Sequence, residues 1–452
     1  MKEVIHIYHT NDLHSHLEHW PRIRDFIQKR KEWHVNEGED VFLFDIGDHV
    51  DRWHPYTEAT LGKANVQLLN KAGYDAVTIG NNEGITLDYE DLDTLYQEAE
   101  FDVIVGNLLN RDGKLPEWLE THHTYETKSG LKVVVLGLTA NFYPFYRALG
   151  WSVSAPLDEL KKQVAQLKNE ADVLVLLSHL GIRDDELIAE THPEIDVILG
   201  AHTHHILHEG KEINGVMLGA AGKFGNFVGH MMIEIDTDTK NVLAKKAQLY
   251  AHDDLPQSTQ EDEEKLQWLQ IGEKLLCTEV ATLPDSLSAE WFEASPLPQM
   301  LCDALKEWCK ADCSFLNAGL LMEGLNKGPV TRQDLHRILP HPINPCLIEL
   351  SGAELKEILK QTFNEDWPHL NLKGLGFRGK IMGEFVYSGI VFEEDKQKIY
   401  IKGEPIQPKK TYKLATTDMF TFGHFFPDLQ RLEKKYFMPE FLRDILAWKL
   451  GR

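Results

Sequence analysis

Five short polar clusters constrain the fold of this 452-residue chain more than any other feature of its sequence. Each directly follows an apolar run of strand length. The clusters are residues 11–14 (NDLH), 47–48 (GD), 80–83 (GNNE), 178–179 (SH) and 200–204 (GAHTH). Because the carboxyl ends of parallel strands line one edge of a sheet, we predict that all five clusters meet in one crevice.

The segments around these clusters alternate between strand-like and helix-like patterns, which predicts an α/β fold with helices flanking a sheet. Apolar runs predict strands at residues 4–8, 41–46, 76–79, 103–105, 132–138, 173–177 and 197–199. Amphipathic stretches predict helices at residues 21–33, 64–71 and 157–170. From residue 214 to 250 strand-like runs follow one another without helices, and we expect the first domain to close there.

The length of the chain favours two domains over one. A polar, proline-marked break at residues 252–259 precedes a charged helical stretch at 260–274. We therefore predict a first domain at residues 1–255, a linker helix at 256–275 and a second domain at 276–452. The second domain mixes helix patterns at 298–310 and 352–363 with strand runs at 345–350, 384–392 and 411–416, which predicts an α+β fold.

The net charge limits which binding partners are plausible, and the cysteines indicate the cellular compartment. With 47 basic and 71 acidic residues the net charge is −24, so a nucleic-acid polymer or an anionic membrane would be repelled. No apolar run is long enough for a membrane span, and the first residues show no secretory leader. Cys302, Cys309 and Cys313 recur at helical spacing and are interpreted as buried residues of a reducing compartment. We expect a cytoplasmic protein.

The polar clusters supply seven candidate metal ligands of mixed chemistry. These are the carboxylates of Asp12 and Asp48, the imidazoles of His14, His179, His202 and His204, and the amide oxygen of Asn81. Nitrogen and oxygen donors together suit Mn, Zn, Fe or Co better than Ca or Mg. Seven ligands exceed the needs of one ion, whereas two divalent ions sharing a carboxylate could stabilise a phosphoryl displacement.

The order DxH, GD, GNxE, SH and GxHTH resembles the motifs of the calcineurin-like metallophosphoesterase superfamily. Residues 330–335 (VTRQDL) and 348–359 (IELSGAELKEIL) resemble the C-terminal domain of bacterial 5′-nucleotidases. The resemblance implies a four-layer αββα catalytic domain, a C-terminal domain that supplies the specificity pocket, and hydrolysis of nucleotides or related small phosphate compounds.

The resemblance also implies how the ligands are shared between two ions, with Asp48 bridging them. The first ion would be held by Asp12, His14, Asp48 and His204, and the second by Asp48, Asn81, His179 and His202.

The third motif departs from the family pattern. Asn82 stands where the family has a histidine, and Ile85 stands where that histidine's partner aspartate is expected. An amide can hold a phosphoryl oxygen but cannot deliver a proton, which costs about 10²- to 10⁴-fold in general-acid catalysis. We predict catalytic roles for Asp48 and Asn82, and a shift towards pyrophosphate or cyclic phosphodiester bonds. Other polar residues of the motif segments are expected to support the ligands: His16, His49, Asp51 and Glu83.

The second domain departs as well. Met322 replaces an arginine of the family's nucleotide pocket, and Phe425 replaces an aspartate expected to bind ribose. The candidates for contacting substrate are Phe420, Phe422 and Phe425, by stacking on a base, and Arg378 of the turn-rich segment 374–380, by gripping phosphate. A phenylalanine cluster of this kind is more often part of a core.

Two other functions compete with the hydrolase. A catalytically weakened homologue could bind a nucleotide-like ligand as a sensor, although the complete ligand set favours an enzyme. A nuclease is disfavoured by the net charge of −24, since no basic run is present to offset it.

Overall fold

Two six-stranded sheets form the centre of the first of two units, Met1–Gly272 and Glu273–Arg452, into which the chain divides. The computed structural model describes residues 2–393 and 397–452. In spatial order, the first sheet contains Asn241–Ala251, Phe227–Asp236, Lys2–Thr10, Asp40–Asp45, Ala76–Val77 and Asp102–Val103. The second contains Lys211–Ile213, Val216–Gly219, Val197–Gly200, Val173–His179, Lys132–Thr139 and His122–Glu126. A separate pair joins Leu108–Leu109 to Ser152–Val153.

The two sheets face each other across a shared core. Ile5 and Ile7 of the first sheet pack in the same apolar cluster as Val133 of the second. Side chains alternate along a strand, so Val134 points the other way, into a cluster with Leu160 of helix Pro156–Leu167. Helices therefore cover the outer faces, and the predicted αββα arrangement is confirmed.

Most helices of this unit follow the strand ends. They are Trp20–Glu37, Pro55–Thr60, Lys63–Ala72, Asn81–Thr86, Tyr89–Leu95, Tyr143–Leu149, Pro156–Leu167 and Ile182–Thr191, with a 3₁₀ turn at His252–Asp254. Parallel pairing of Lys2–Thr10 with Asp40–Asp45, and of Val173–His179 with Val197–Gly200, aligns the carboxyl ends from which the polar clusters emerge.

The division between the units falls at Gly272, later than the predicted boundary near residue 256. Helix Glu261–Leu275 is the reason, because it is attached to the first unit for most of its length. Its Glu261 and Glu264 form ion pairs with Arg22 at 2.6 Å and Arg24 at 2.9 Å. The linker helix predicted at residues 256–275 therefore corresponds to helix Glu261–Leu275, and the division between the units falls within it.

The second unit is built on a five-stranded sheet with helices packed against it. In spatial order its strands are Phe385–Ser388, Cys313–Asn317, Thr411–Thr417, Pro345–Ser351 and Lys434–Tyr436. Smaller sheets pair Glu279–Leu283 with Gly328–Thr331, and Ile390–Glu393 with Lys398–Ile401 and then Glu404–Pro405. The helices are Pro296–Trp308, Arg332–Ile338, Gly352–Gln361, Pro427–Arg431 and Leu442–Leu450, with 3₁₀ turns at Ala318–Leu320, Trp367–His369 and Asp418–Thr421.

Two sequence predictions change in this unit. The strand predicted at residues 384–392 is two strands in different sheets, separated at Gly389, whose φ of 74° is left-handed. Cys302, Cys309 and Cys313 are buried and free, but Cys313 lies on a strand, so the three do not share one helix. Among the described residues, none of the helices has both the length and the apolar character required to cross a membrane.

Candidate metal centre

Five of the seven candidate ligands adopt a left-handed backbone conformation. The φ angles are 50° at Asp12, 48° at His14, 53° at Asp48, 71° at His202 and 59° at His204. Only a few per cent of residues other than glycine do so, at a cost of about 1–3 kcal/mol for a strained position. Such strain persists where the surrounding structure enforces it, which is typical of functional sites.

Backbone contacts hold the ligand loops against one another. The N–H of Asp12 donates to the carbonyl of Gly47 at 3.0 Å, and the N–H of His14 donates to that of Asp48 at 2.7 Å. A Cβ at Gly47 would lie 2.3 Å from the backbone nitrogen of Gly80, and one at Gly80 would lie 2.0 Å from Oδ1 of Asp48. Glycine is therefore required at both positions for the three loops to approach so closely.

One group of donor atoms is formed by Asp12, His14 and His204, all within 4.8 Å of one another. Nε2 of His204 lies 3.4 Å from Oδ1 of Asp12 and 3.2 Å from Nε2 of His14. Nδ1 of His14 is 3.0 Å from a carboxylate oxygen of Asp51, to which it donates, so Nε2 faces the group. The unshared electron pairs of these nitrogen and oxygen atoms therefore point towards a common position.

A second group is formed by Asp12, Asp48 and His179. Nδ1 of His179 donates to the carbonyl of Ile46 at 2.6 Å, which leaves Nε2 facing the site. That nitrogen is buried and lies 3.4 Å from Oδ2 of Asp48, yet it has no hydrogen-bond partner among the described residues. A buried nitrogen without a partner beside a carboxylate fits a cation between them.

Asn81 and His202 stand together beside these groups. Nδ1 of His202 lies 2.8 Å from Oδ1 of Asn81, and the backbone N–H of His202 donates to Asp12 at 3.1 Å. Burial lowers the pKa of His202 to about 4, so its ring is neutral, as a metal ligand must be. The structure therefore brings all seven predicted side chains to one place.

The electrostatics of the centre call for positive charge. Burial alone would raise the pKa of Asp48, but His179 and His14 lower it below its usual range. Burial lowers the pKa of His179, whereas Asp48 and Asp12 raise it, and the result is about 10. The two carboxylates therefore stabilise positive charge beside them, either a proton on His179 or a bound cation, and the donor set fits divalent ions.

Comparisons with known proteins agree with this geometry. The family model described as calcineurin-like phosphoesterase matches residues 5–205, and the model described as 5′-nucleotidase, C-terminal domain, matches residues 278–425. The uncharacterized metallophosphoesterase YunD of Bacillus subtilis (strain 168) is 46% identical over 465 aligned positions, covering 100% of both chains. This chain belongs to the calcineurin-like metallophosphoesterase family.

More distant proteins share the same plan. The trifunctional nucleotide phosphoesterase protein YfkN of B. subtilis is 25% identical over 78% of this chain and 27% of its own length. The NAD nucleotidase of Haemophilus influenzae has the same fold, with a TM-score of 0.68 and 15% identity over 100% of this chain and 96% of that one. The family makes this chain a metal-dependent phosphoester hydrolase, which favours the enzyme over the sensor.

Divalent ions bound in a metallophosphoesterase site supply Lewis-acid stabilisation of phosphoryl oxygens. The chain's own residues orient the ligands. Glu83 is buried and accepts from the backbone N–H groups of Asp48, Val50 and Gly80, each at 2.9 Å. Burial, followed by the charge of Asp48, raises the pKa of Glu83 to about 7. Its carboxyl is committed to the loops, which supports the expected positioning role.

The other expected supporting residues lie around the same loops. Asp51 holds His14, as described above. His49 is buried and lies 3.2 Å from the side-chain nitrogen of Asn65. His16 pairs with Glu18 at 2.7 Å and lies against Phe224.

Substitution of Asp51 by alanine is predicted to lower metal affinity about 10- to 100-fold, because His14 would lose the acceptor that orients its ring. Mn²⁺ affinity can be measured by titrating the free-ion EPR signal and, separately, by the Mn²⁺ dependence of activity. Asp51→Asn keeps an acceptor oxygen and should lose less. Unchanged Mn²⁺ affinity in Asp51→Ala would contradict the positioning role.

Asn82 contacts the carboxylate of Asp48 rather than standing free. Its side-chain amide donates to Oδ2 at 2.7 Å and its backbone N–H donates to Oδ1 at 2.7 Å. The amide nitrogen also lies 3.5 Å from Nδ1 of His14. Asn82 thus secures a predicted bridging ligand, while its predicted contact with a phosphoryl group stays a prediction.

The predicted stacking role of two phenylalanines in the second unit needs correction. Phe420 and Phe425 are 0% and 6% exposed in the main core of that unit, where both contact Phe426 or Trp367. Their faces are covered by other rings, so they offer no platform to a base.

The two remaining candidates keep some exposure. Phe422 is half-buried. Arg378 is also half-buried, and its backbone N–H donates to Nδ1 of His341 at 2.9 Å.

A further loop at the site, residues 221–225, was missed by sequence reasoning. The backbone N–H of Phe224 donates to the carbonyl of Asp12 at 2.7 Å, and the Phe224 ring lies 5.8 Å from that of His14. Asn11 donates to Asp12 at 2.8 Å and to the carbonyl of Gly222 at 2.7 Å. The available signal was the glycine-rich sequence that follows strand Val216–Gly219.

Beside His202 a cavity of about 530 Å³ opens, lined partly by Phe142 and Leu180.

Proposed function

We propose that this metallophosphoesterase hydrolyses nucleotides or related small phosphate compounds, and prefers bonds whose leaving group is stable without a proton. The proposed ligands of two ions are Asp12, His14, Asp48, Asn81, His179, His202 and His204, with Mn, Zn, Fe or Co as the metals. The relative described as a nucleotide phosphoesterase supports a nucleotide as the substrate class.

The observation that carries the proposal is the identity and position of Asn82. Its amide lies on Asp48, beside His14, at the place where a family histidine would protonate the leaving group. An amide has no transferable proton at neutral pH. The neighbouring carboxyl of Glu83 is occupied by three backbone N–H groups. Neither residue is therefore suited to act as the acid.

Leaving-group chemistry then determines the substrate range. A ribose 5′-oxygen leaves as a strongly basic alkoxide and needs protonation, whereas a phosphate leaves as a stable anion. Loss of the acid penalises the first far more than the second. Pyrophosphate bonds are thus favoured over simple nucleoside monophosphates. Strained cyclic phosphodiesters also lose a ribose oxygen, but relief of ring strain offsets part of that penalty.

A leaving-group series tests this proposal. For the Mn-loaded enzyme acting on substituted phenyl phosphates, we predict that kcat/KM rises steeply as the leaving phenol becomes more acidic. The series changes the leaving group while keeping the phosphoryl group constant. A rate that does not depend on phenol acidity would show that an acid is present and would contradict the proposal.

A substrate panel gives the second measurement. Nucleotide sugars, dinucleotides and cyclic nucleotides should be hydrolysed faster than AMP at equal concentration. Faster turnover of AMP than of all three classes would refute the proposed shift.

We also propose a reducing, cytoplasmic compartment. All five cysteines are free, and four of them are buried as apolar residues.

A further inference from the structure

Three buried histidines lie together on the outer face of the first sheet, beneath helix Trp20–Glu37. His6 is on strand Lys2–Thr10, His230 is on the neighbouring strand Phe227–Asp236, and His34 is in the last turn of the helix. They are 6%, 5% and 1% exposed, respectively. One ring nitrogen from each lies within 4.8 Å of the others.

Two buried nitrogens of this cluster, Nε2 of His6 and Nδ1 of His230, make no well-aligned hydrogen bond among the described residues, although Nε2 of His6 lies 3.3 Å from a carboxylate oxygen of Glu39. His6 uses its other nitrogen to contact Nε2 of His230 at 3.0 Å. Leaving a buried polar atom unsatisfied costs about 1–3 kcal/mol, so packing alone would favour apolar rings here.

A carboxylate stands at the edge of the cluster. Oε2 of Glu39 lies 2.7 Å from Nδ1 of His34 and 3.3 Å from Nε2 of His6. The Glu39 side chain is 35% exposed, which gives an ion a route from solvent. Three imidazoles and one carboxylate are donors that suit four-coordinate Zn²⁺.

The protonation state of the rings is compatible with metal binding. Burial lowers the pKa of His6 to about 4 and that of His230 to about 3, so both are neutral near pH 7. His34 also contacts the hydroxyl of Tyr8 at 3.0 Å, which holds its ring in place. Neutral imidazole is the form that ligates a cation.

The cluster is separate from the centre that holds Asp48. His6 points to the opposite face of its strand from Ile5 and Ile7, which enter the core between the sheets. Four residues of strand, roughly 13 Å, separate His6 from Thr10, after which the first ligand loop begins.

We propose that His6, His34 and His230 bind one Zn²⁺ ion, with the carboxylate of Glu39 as the fourth ligand. The ion joins the end of helix Trp20–Glu37 to two strands of the sheet. Its role is structural, since three or four protein ligands close the shell.

Metal stoichiometry tests the proposal on the full chain. Protein stripped with a chelator, loaded with Zn²⁺ and desalted should retain about one ion more than His230→Gln treated identically. Glu39→Gln, which changes a half-exposed side chain and keeps its shape, should weaken Zn²⁺ binding at this site at least about 10-fold. His123→Gln is the matched control, because Asp102, Glu120 and His123 form a similar but more exposed trio.

A second readout separates this site from the catalytic one. Zn²⁺ should raise the unfolding temperature of Asp48→Asn protein, and the rise should be smaller when Glu39→Gln is added. Equal Zn²⁺ content in wild type, His230→Gln and Glu39→Gln would overturn the proposal, as would an unfolding temperature that Zn²⁺ shifts equally with and without Glu39. Failure of phosphoesterase activity would bear only on the proposed function.

Discussion

Replacement of Asp48 by asparagine is expected to reduce kcat/KM about 10³-fold, equivalent to about 4 kcal/mol of lost transition-state stabilisation. Asp48 lies within 3.7 Å of His14 and 3.4 Å of His179, between the two donor groups. An amide would remove the negative charge that both proposed ions share. Metal content should fall in parallel with activity, which elemental analysis of the desalted protein can measure.

The choice of asparagine isolates the charge. Position 48 has a φ of 53°, and asparagine tolerates left-handed backbone better than other replacements. Asp112→Asn makes the same chemical change at an exposed loop and should leave both activity and metal content intact. Retention of two ions per chain and of activity within about 10-fold in Asp48→Asn would rule out the bridging role.

Restoring a histidine at position 82 is expected to change selectivity by at least about 10²-fold. Asn82→His should raise kcat/KM for AMP relative to a dinucleotide, because a general acid contributes about 10²- to 10⁴-fold where the leaving group is basic. The measurement is the ratio of the two kcat/KM values. A new descending limb in the pH profile for AMP should accompany the change, since the acid works only while protonated.

Two variants control for side effects of this substitution. Asn82→Gln enlarges the side chain without adding an acidic proton, so the selectivity ratio should stay at its original value. Asn82→His with Ile85→Asp supplies the carboxylate that the family places beside the histidine, and should increase the ratio further. If Asn82→His instead lowers kcat/KM equally for AMP and for the dinucleotide, the hydrogen bond from Asn82 to Asp48 contributes more to catalysis than protonation of the leaving group.

The crevice could be predicted from sequence because parallel strands force their carboxyl ends to one edge. His179 is the last of the seven buried residues of strand Val173–His179, and His202 and His204 follow the adjacent strand. None of these three ligands depends on a distant side-chain contact to reach the site. For these residues, strand order and a position at or just after the end of a strand suffice.

Contacts between distant side chains could not be predicted in the same way. His6 and His230 are 224 residues apart, and they meet only because antiparallel pairing places Tyr8 opposite His230. Single histidines in a chain with 22 of them carry no such information. The orientation of Asn82 towards Asp48 also depends on how closely Gly47 and Gly80 let two loops approach.

The second unit shows the same limit. Composition allowed Phe420 and Phe425 to be either a binding surface or a core, and only the packing of neighbouring rings decides between them. Similarly, no local pattern encodes the ion pair between Arg22 and Glu261, which joins helix Glu261–Leu275 to the first unit.

This metal centre depends both on the chemistry of its donor atoms and on the path of its backbone. The backbone is left-handed at five of the ligands: Asp12, His14, Asp48, His202 and His204. Replacing one ligand by a residue with a different donor would therefore often fail because the new residue does not tolerate the left-handed backbone, whether or not it could coordinate the metal. Anyone transplanting the centre into a new scaffold must move entire loops, together with the glycines that let them nest, because the side chains alone would not reproduce it.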